Sequence, residues 1–176
     1  MDSKFQKVTV DVTKVQQTLA DVKVKVDEER DRENRSHNVI IYRVAETGER
    51  EDRVKTDKAF CMKLLKDVLR LEVQDSDVKS VFRLGKRDGA DRPLMVQFRD
   101  KSVKNGMMES LYRLKDAEDS FRHISVTHDL TQLERAECKK LVEEAKKKQQ
   151  EESGEYLWRV RGLPGQLKLV KIRRGN

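Results

Sequence analysis

The sequence predicts an α+β chain in three parts. These are an N-terminal coiled-coil helix, a β-α-β-β-α-β unit of about 90 residues, and a small domain of one helix and one β-hairpin. Three patterns predict it. From Phe5 to Val26 apolar residues recur at alternating spacings of three and four. From Asn38 to His128 short β-branched runs alternate with stretches whose apolar residues recur every three or four. After Glu155 two apolar-basic runs flank Gly162-Leu-Pro-Gly165.

The first segment, residues 1–36, carries Phe5, Val12, Leu19 and Val26 at heptad position a and Val8, Val15 and Val22 at position d. That is an oligomerisation seam, and valine at d leans towards three or more strands. Val8-Thr-Val10-Asp-Val12 and Val22-Lys-Val24-Lys-Val26 also alternate with period two, as strands do. The helix is preferred because no Gly or Pro turn separates them and Gln16 to Ala20 has helical character. The mixed-charge run Asp27–Arg35 either continues the helix or links it onward.

Residues 37–128 form the second part. Val39 to Val44 is a first strand, and Phe60, Leu64 and Val68 mark an amphipathic helix from about Asp52 to Leu71. Val78 to Leu84 is a second strand, followed by a loop with Asp88-Gly89 at its tip. Leu94-Met-Val96-Gln-Phe98 is a third strand with Pro93 at its entry. Asp100 or Ser102 caps a second helix running to Lys115, with Val103, Met107, Leu111 and Leu114 on one face. Ile124-Ser-Val126 is the fourth strand. This order is the ferredoxin-like arrangement, a four-stranded antiparallel sheet with two helices on one face.

The third part, 129–176, opens with the capping box Thr131-Gln-Leu-Glu134. A helix to about Glu152 follows, then a hairpin from Leu157–Arg161 and Leu167–Ile172.

Composition narrows the function. The chain is 40% charged and 36% apolar, below the roughly 45–50% apolar share of an ordinary domain. A compact domain with solvated extensions is therefore expected. No apolar run approaches the ~20 residues of a membrane span. The opening Met-Asp-Ser-Lys leads into no apolar signal core. Cys61 and Cys138 form no disulfide framework. An intracellular, membrane-free protein is expected.

The net charge of +7 is unevenly placed, because residues 156–176 hold six basic residues and no acid. Such an acid-free end is an electrostatic footprint for a polyanion. A solubilising tail is the alternative, weakened by the large rings of Tyr156 and Trp158. His123 and His128 have no cysteine near them to complete a metal set, and no phosphate-binding loop, nucleophile elbow or zinc-protease motif occurs. No metal, no cofactor and no enzymatic activity are expected.

A β-α-β-β-α-β unit with basic surroundings suggests an RNA-recognition (RRM-like) module, although Ile40 stands where a stacking ring is usual. The wording of Glu33-Asn-Arg-Ser-His-Asn-Val-Ile-Ile-Tyr42, Phe82-Arg-Leu-Gly85, Arg92-Pro-Leu-Met-Val-Gln-Phe98 and Asp129-Leu-Thr-Gln-Leu-Glu-Arg135 goes further. In order and spacing it resembles the first-open-reading-frame protein of LINE-type (non-LTR) retrotransposons, or a truncated or domesticated relative. That resemblance implies a homotrimer that binds single-stranded RNA, acts as a nucleic-acid chaperone and coats element RNA in a cytoplasmic, also nuclear, ribonucleoprotein. It places Arg83, Arg92, Arg159 and Arg161 along the RNA path.

From the residues themselves, Arg83, Lys86, Arg87, Arg92 and Arg99 are candidates to ring the sheet, with Arg159, Arg161, Lys168, Lys171, Arg173 and Arg174 extending the track. Tyr42, Tyr156 and Trp158 are candidate stacking rings. Each has a structural role open to it: sheet packing for Tyr42, a hairpin anchor for Trp158. Single-stranded DNA is an alternative ligand. The rival functions are a coiled-coil protein-interaction scaffold and a DNA-binding adaptor.

Overall fold

Asn38-Val-Ile-Ile-Tyr42 is rich in β-branched side chains, which pack well on a pleated surface, and it forms β1. The computed structural model describes residues 2–48, 50–87, 89–152 and 154–174, the side chains of 2–5, 7, 50 and 51 excepted. The class is α+β. The chain divides into two units: Arg35–Asp129, and Met1–Asn34 together with Leu130–Asn176. The N- and C-terminal segments, read in the sequence as separate, are thus one unit.

In the unit Arg35–Asp129, β1 is followed by α2 (Arg50–Lys63), β2 (Val78–Arg83), β3 (Leu94–Phe98), α3 (Lys101–Ser110), α4 (Asp119–Arg122) and β4 (Ser125–His128); α1 (Asp2–Arg35) precedes them. The strands form one antiparallel sheet in the order β2-β3-β1-β4. Alternation sends Val39 and Ile41 of β1 and Leu94, Val96 and Phe98 of β3 into a core completed by Cys61, Leu65, Leu69, Met107 and Phe121. Phe121 stacks on Phe60 at 4.9 Å between ring centroids. Burying each large apolar side chain contributes about 1.5–3 kcal/mol.

Three local features depart from ideal periodicity. The second strand has a register shift between Val78 and Ser80. Val78 and Val81 therefore both join the core side, whereas Ser80 and Phe82 pair with Gln97 and Met95 on the opposite face. The helix after β1 widens into a π-turn over Leu64–Val68, with Leu69 N–H donating to Leu64 O at 2.9 Å. The extra residue brings Leu69 into the core and leaves Val68 at its edge, so a strict spacing of four does not hold to Leu71. Arg70, at φ 55°, then turns the chain out in the left-handed conformation usual at helix ends. Asp100 caps α3, accepting from Ser102 N–H at 2.7 Å, and the helix tightens into a 3-10 turn over Leu111–Asp116 instead of running straight to Lys115. The fourth strand starts after Ile124, which is buried ahead of it. Asp88, expected at the β2–β3 loop tip, lies outside the described residues.

In the other unit, α1 runs through the mixed-charge segment as a single helix of 34 residues, so the strand alternative does not apply. Val8, Val12, Val15, Leu19, Val22 and Val26 are 49–69% exposed, as are Val10 and Val24 within the same range; the Phe5 side chain lies outside the described residues. Thr131 caps α5 (Gln132–Glu151), with both bonds of the capping box present. The same two residues hold α1: Thr131 donates to Glu28, and Arg32 Nε donates to Glu134 at 2.6 Å. Those cross-links tie the two terminal segments together within their unit. Next, β5 (Tyr156–Arg161) and β6 (Lys168–Arg173) form the hairpin. At its turn Gly162 has φ 126°, and a Cβ there would stand 2.2 Å from Gln166 O. The side-chain amide of Gln149 on α5 donates to Tyr156 O and accepts from Trp158 N–H, both at 3.0 Å, which covers part of the β5 edge.

Truncating Phe98, buried at the centre of the sheet, to alanine is expected to cost about 3–5 kcal/mol. Tyr112→Ala, at an exposed site, should stay within about 0.5 kcal/mol. Urea denaturation of both variants checks the placement of the core; a Phe98→Ala midpoint equal to that of the parent chain would contradict it.

Candidate nucleic-acid interface

Register sorts the hairpin residues by face. Tyr156, Trp158 and Lys171 lie on one side, next to α5. Trp158 Nε1 donates to Glu152 at 3.1 Å, and Lys171 pairs with the same carboxylate at 2.9 Å. These bonds, that from Lys171 first, hold the Glu152 carboxyl below its usual range. The Lys171 ammonium stands 4.3 Å from the centroid of Tyr156, and that of Lys148 stands 4.7 Å from Trp158. Trp158 and Lys171 are thus engaged within the unit: the ring anchors the hairpin to α5, and the cation is already paired.

The other side carries Leu157, Arg159 and Arg161 from β5 and Lys168, Val170 and Ile172 from β6. Arg159, Arg161 and Lys168 are exposed. Arg161 and Lys168 stand directly opposite one another. Like charges in that position destabilise a hairpin unless something offsets them. Arg173 and Arg174 are exposed at the hairpin's open end, the latter donating its backbone N–H to Glu155 O at 2.9 Å.

In the unit Arg35–Asp129 the sheet face away from the helices carries three rows of side chains. Ser80, Gln97 and Asn38 form a polar row, Phe82, Met95, Ile40 and Thr127 an apolar row, and Tyr42 and Ser125 a third. Tyr42 is where the sequence placed a ring, at 38% exposure. Phe82, at 43%, was not foreseen. Period two from the buried Val78 puts it in the core, and only the register shift turns it outward.

Two of the candidate basic residues are spent inside the protein. The Arg83 side chain is 3% exposed and forks onto Asp57, with Nε to Oδ2 at 2.9 Å. Its remaining donors go to the carbonyls of Val44, Ala45 and Arg92. Arg92 meets Glu46 through Nε at 3.0 Å and Nη2 at 2.8 Å, and Gly85 O through Nη1. The Arg92 hydrogen bonds, with Arg53 alongside, bring the Glu46 carboxyl down to about 2. Arg83 has no donor left for a phosphate, and here the placement implied by the resemblance is corrected; Arg92 gives its side-on fork to Glu46 and stays partly exposed. Lys86 and Arg87 are exposed on the β2–β3 loop with no ion pair among the described residues. Arg99 is exposed and spends its Nε on Ser76 O at 2.7 Å.

No protein-family model and no curated protein matches the chain. No helix among the described residues is long and apolar enough to cross a membrane.

Arg83→Ala leaves Asp57 buried without its partner and is expected to destabilise the chain by about 3–5 kcal/mol. Replacing both residues with a same-volume apolar pair should restore much of that loss. Thermal unfolding of the single and double variants checks this; a stable, fully folded Arg83→Ala chain would return Arg83 to the ligand-facing set.

Proposed function

We propose that the chain binds single-stranded RNA, with the outer face of the hairpin as its main phosphate-contacting surface. The observation that carries this is the Arg161–Lys168 like-charge pair, flanked by Arg159 on an acid-free strand pair. A phosphate backbone lying across it turns a repulsion into two attractions. Lys86, Arg87 and Arg99 add cations beside the sheet. On this proposal the unit Arg35–Asp129 is a ferredoxin-like, RRM-like domain, a view supported by its β-α-β-β-α-β order and by β1 and β3 at the centre of the sheet. Its Tyr42 stands at an exposed sheet position, which suits base stacking.

The exposed seam of α1 supports the second half of the proposal, self-association through Val8 to Val26 as a homotrimer. Several copies would raise the local concentration of weak RNA sites. The whole assembles into the ribonucleoprotein particle implied by the resemblance to LINE-type first-open-reading-frame proteins. It needs no catalytic group. A protein-interaction scaffold is the second reading, favoured by the same exposed seam if RNA does not bind.

With about five phosphates met by the hairpin, log K for single-stranded RNA is expected to fall against log[salt] with a slope of about −3.5. The triple change Arg159→Ala, Arg161→Ala, Lys168→Ala should flatten that slope by about 2. Fluorescence anisotropy with labelled RNA at several salt concentrations measures both, and absence of binding at about 50 mM salt rejects the function. Light scattering tests the seam independently: the intact chain should weigh about three times its 20.6 kDa protomer, and Leu19→Glu should reduce it to one.

A further inference from the structure

We infer that Phe82 is a base-stacking residue, and that with Tyr42 it forms a two-ring platform on the sheet face away from the helices. The inference rests on the RNA-binding reading above and adds to it a second, uncharged contact region in the other unit.

The β2 register shift is the origin of the platform. Without it the Val78–Ser80–Phe82 alternation would bury the ring; with it, Phe82 joins the row that continues through Met95 and Ile40 to Thr127. Met95 and Ile40, at 6% and 8% exposure, are buried in the row between the two rings and back them with apolar contact. Phe82 and Tyr42 are the large rings left exposed on this face. They are two strands apart and offset by two residues, about 12 Å between Cα positions from ordinary sheet spacings. That is too far for the rings to clamp one base between them, so each takes its own.

The surroundings select the occupant. No carboxylate stands among the side chains that the register places on this face. The Ser80 hydroxyl bonds one end of the Gln97 amide at 2.6 Å, leaving the other end for the edge of a base next to Phe82. Arg99, exposed two residues beyond Gln97, puts a cation at the margin, and the loop after β2 carries exposed Lys86 and Arg87 together, in sequence, with Asp88 and Asp91. Aromatic rings and an amide, on a face whose own side chains include no carboxylate, fit unpaired nucleobases. Ile40 occupies the more usual stacking position, and the rings stand beside it, on β2 and at the end of β1.

The test is titration of the intact chain with a fluorescent single-stranded RNA. Phe82→Ala is expected to weaken binding roughly 5- to 150-fold, the value of one stacked base, with the salt slope unchanged because no phosphate contact is lost. Phe82→Leu, which keeps apolar bulk and removes the π-face, should lose affinity similarly, whereas Phe82→Trp should keep it. Far-ultraviolet circular dichroism confirms that each variant is folded, and the leucine variant decides the matter if alanine disturbs the sheet. Photocrosslinking with 4-thiouridine RNA should attach to the peptide containing Phe82. Wild-type affinity in Phe82→Leu, alongside loss in the hairpin triple variant, overturns the platform and leaves the RNA-binding reading standing. No RNA binding by the parent chain overturns both.

Discussion

Asp57 on α2 and Arg83 at the end of β2 are both almost wholly withdrawn from water. Removing two charges from water costs several kcal/mol per ion, so such a pair survives only where its geometry is complete. Here it is: the guanidinium forks onto the carboxylate and also donates to Val44 O, Ala45 O and Arg92 O. One side chain thereby ties α2, the β1–α2 loop and the β2–β3 loop to the same end of the sheet. Arg92, Glu46 and Arg53 extend the network, and the low pKa of Glu46 records how strongly it is held as an anion. The lock holds α2 and the two loops in register at that end of the sheet, beside the apolar core.

That lock changes how the charge of the chain must be counted. Arginines that look available in sequence are consumed by carboxylates distant in sequence, and the middle segment has less free positive charge than its composition suggests. The terminal hairpin has no acids of its own to consume its cations; among the described residues Lys171 is its one cation in an ion pair, with Glu152. The same logic operates where α1 meets α5. Glu28, Arg32, Thr131 and Glu134 satisfy one another, so that helix junction presents little unmet charge. What α1 leaves unmet is apolar, along the seam from Val8 to Val26.

Features that depend on near neighbours were legible in the sequence. Thr131 and Glu134 cap α5 as their spacing requires, Leu94–Phe98 is a strand within its expected bounds, and the Gly162–Gly165 turn separates the two strands of the hairpin. Asp100, one of two capping candidates, is the one that caps. The features that escaped depend on partners far along the chain. Whether Arg83 faces solvent depends on Asp57, 26 residues away. Whether Phe82 faces the core depends on one extra residue in a strand pairing, which alternation cannot reveal. The π-turn at Leu64–Val68 is similar: it is selected by how Leu69 fits beneath the sheet, and the run Leu-Leu-Lys-Asp-Val does not announce it. Trp158 was read with both roles open, and its bond to Glu152 favours the anchor.

Charge and aromatic surface are separated in this chain, and the separation bears on how a single strand would be held. The hairpin presents cations beside small apolar groups, and its rings turn to α5. The sheet presents rings and a polar row, with Arg99 exposed just past the end of β3. Phosphate contacts weaken as salt rises, because released counterions drive them; stacking does not depend on that release. Contacts to the hairpin and contacts to the sheet therefore draw on two energy sources with different salt responses. Under the proposed function, the residual affinity at high salt belongs to Tyr42 and Phe82, and the steep loss on the way there belongs to Arg159, Arg161 and Lys168.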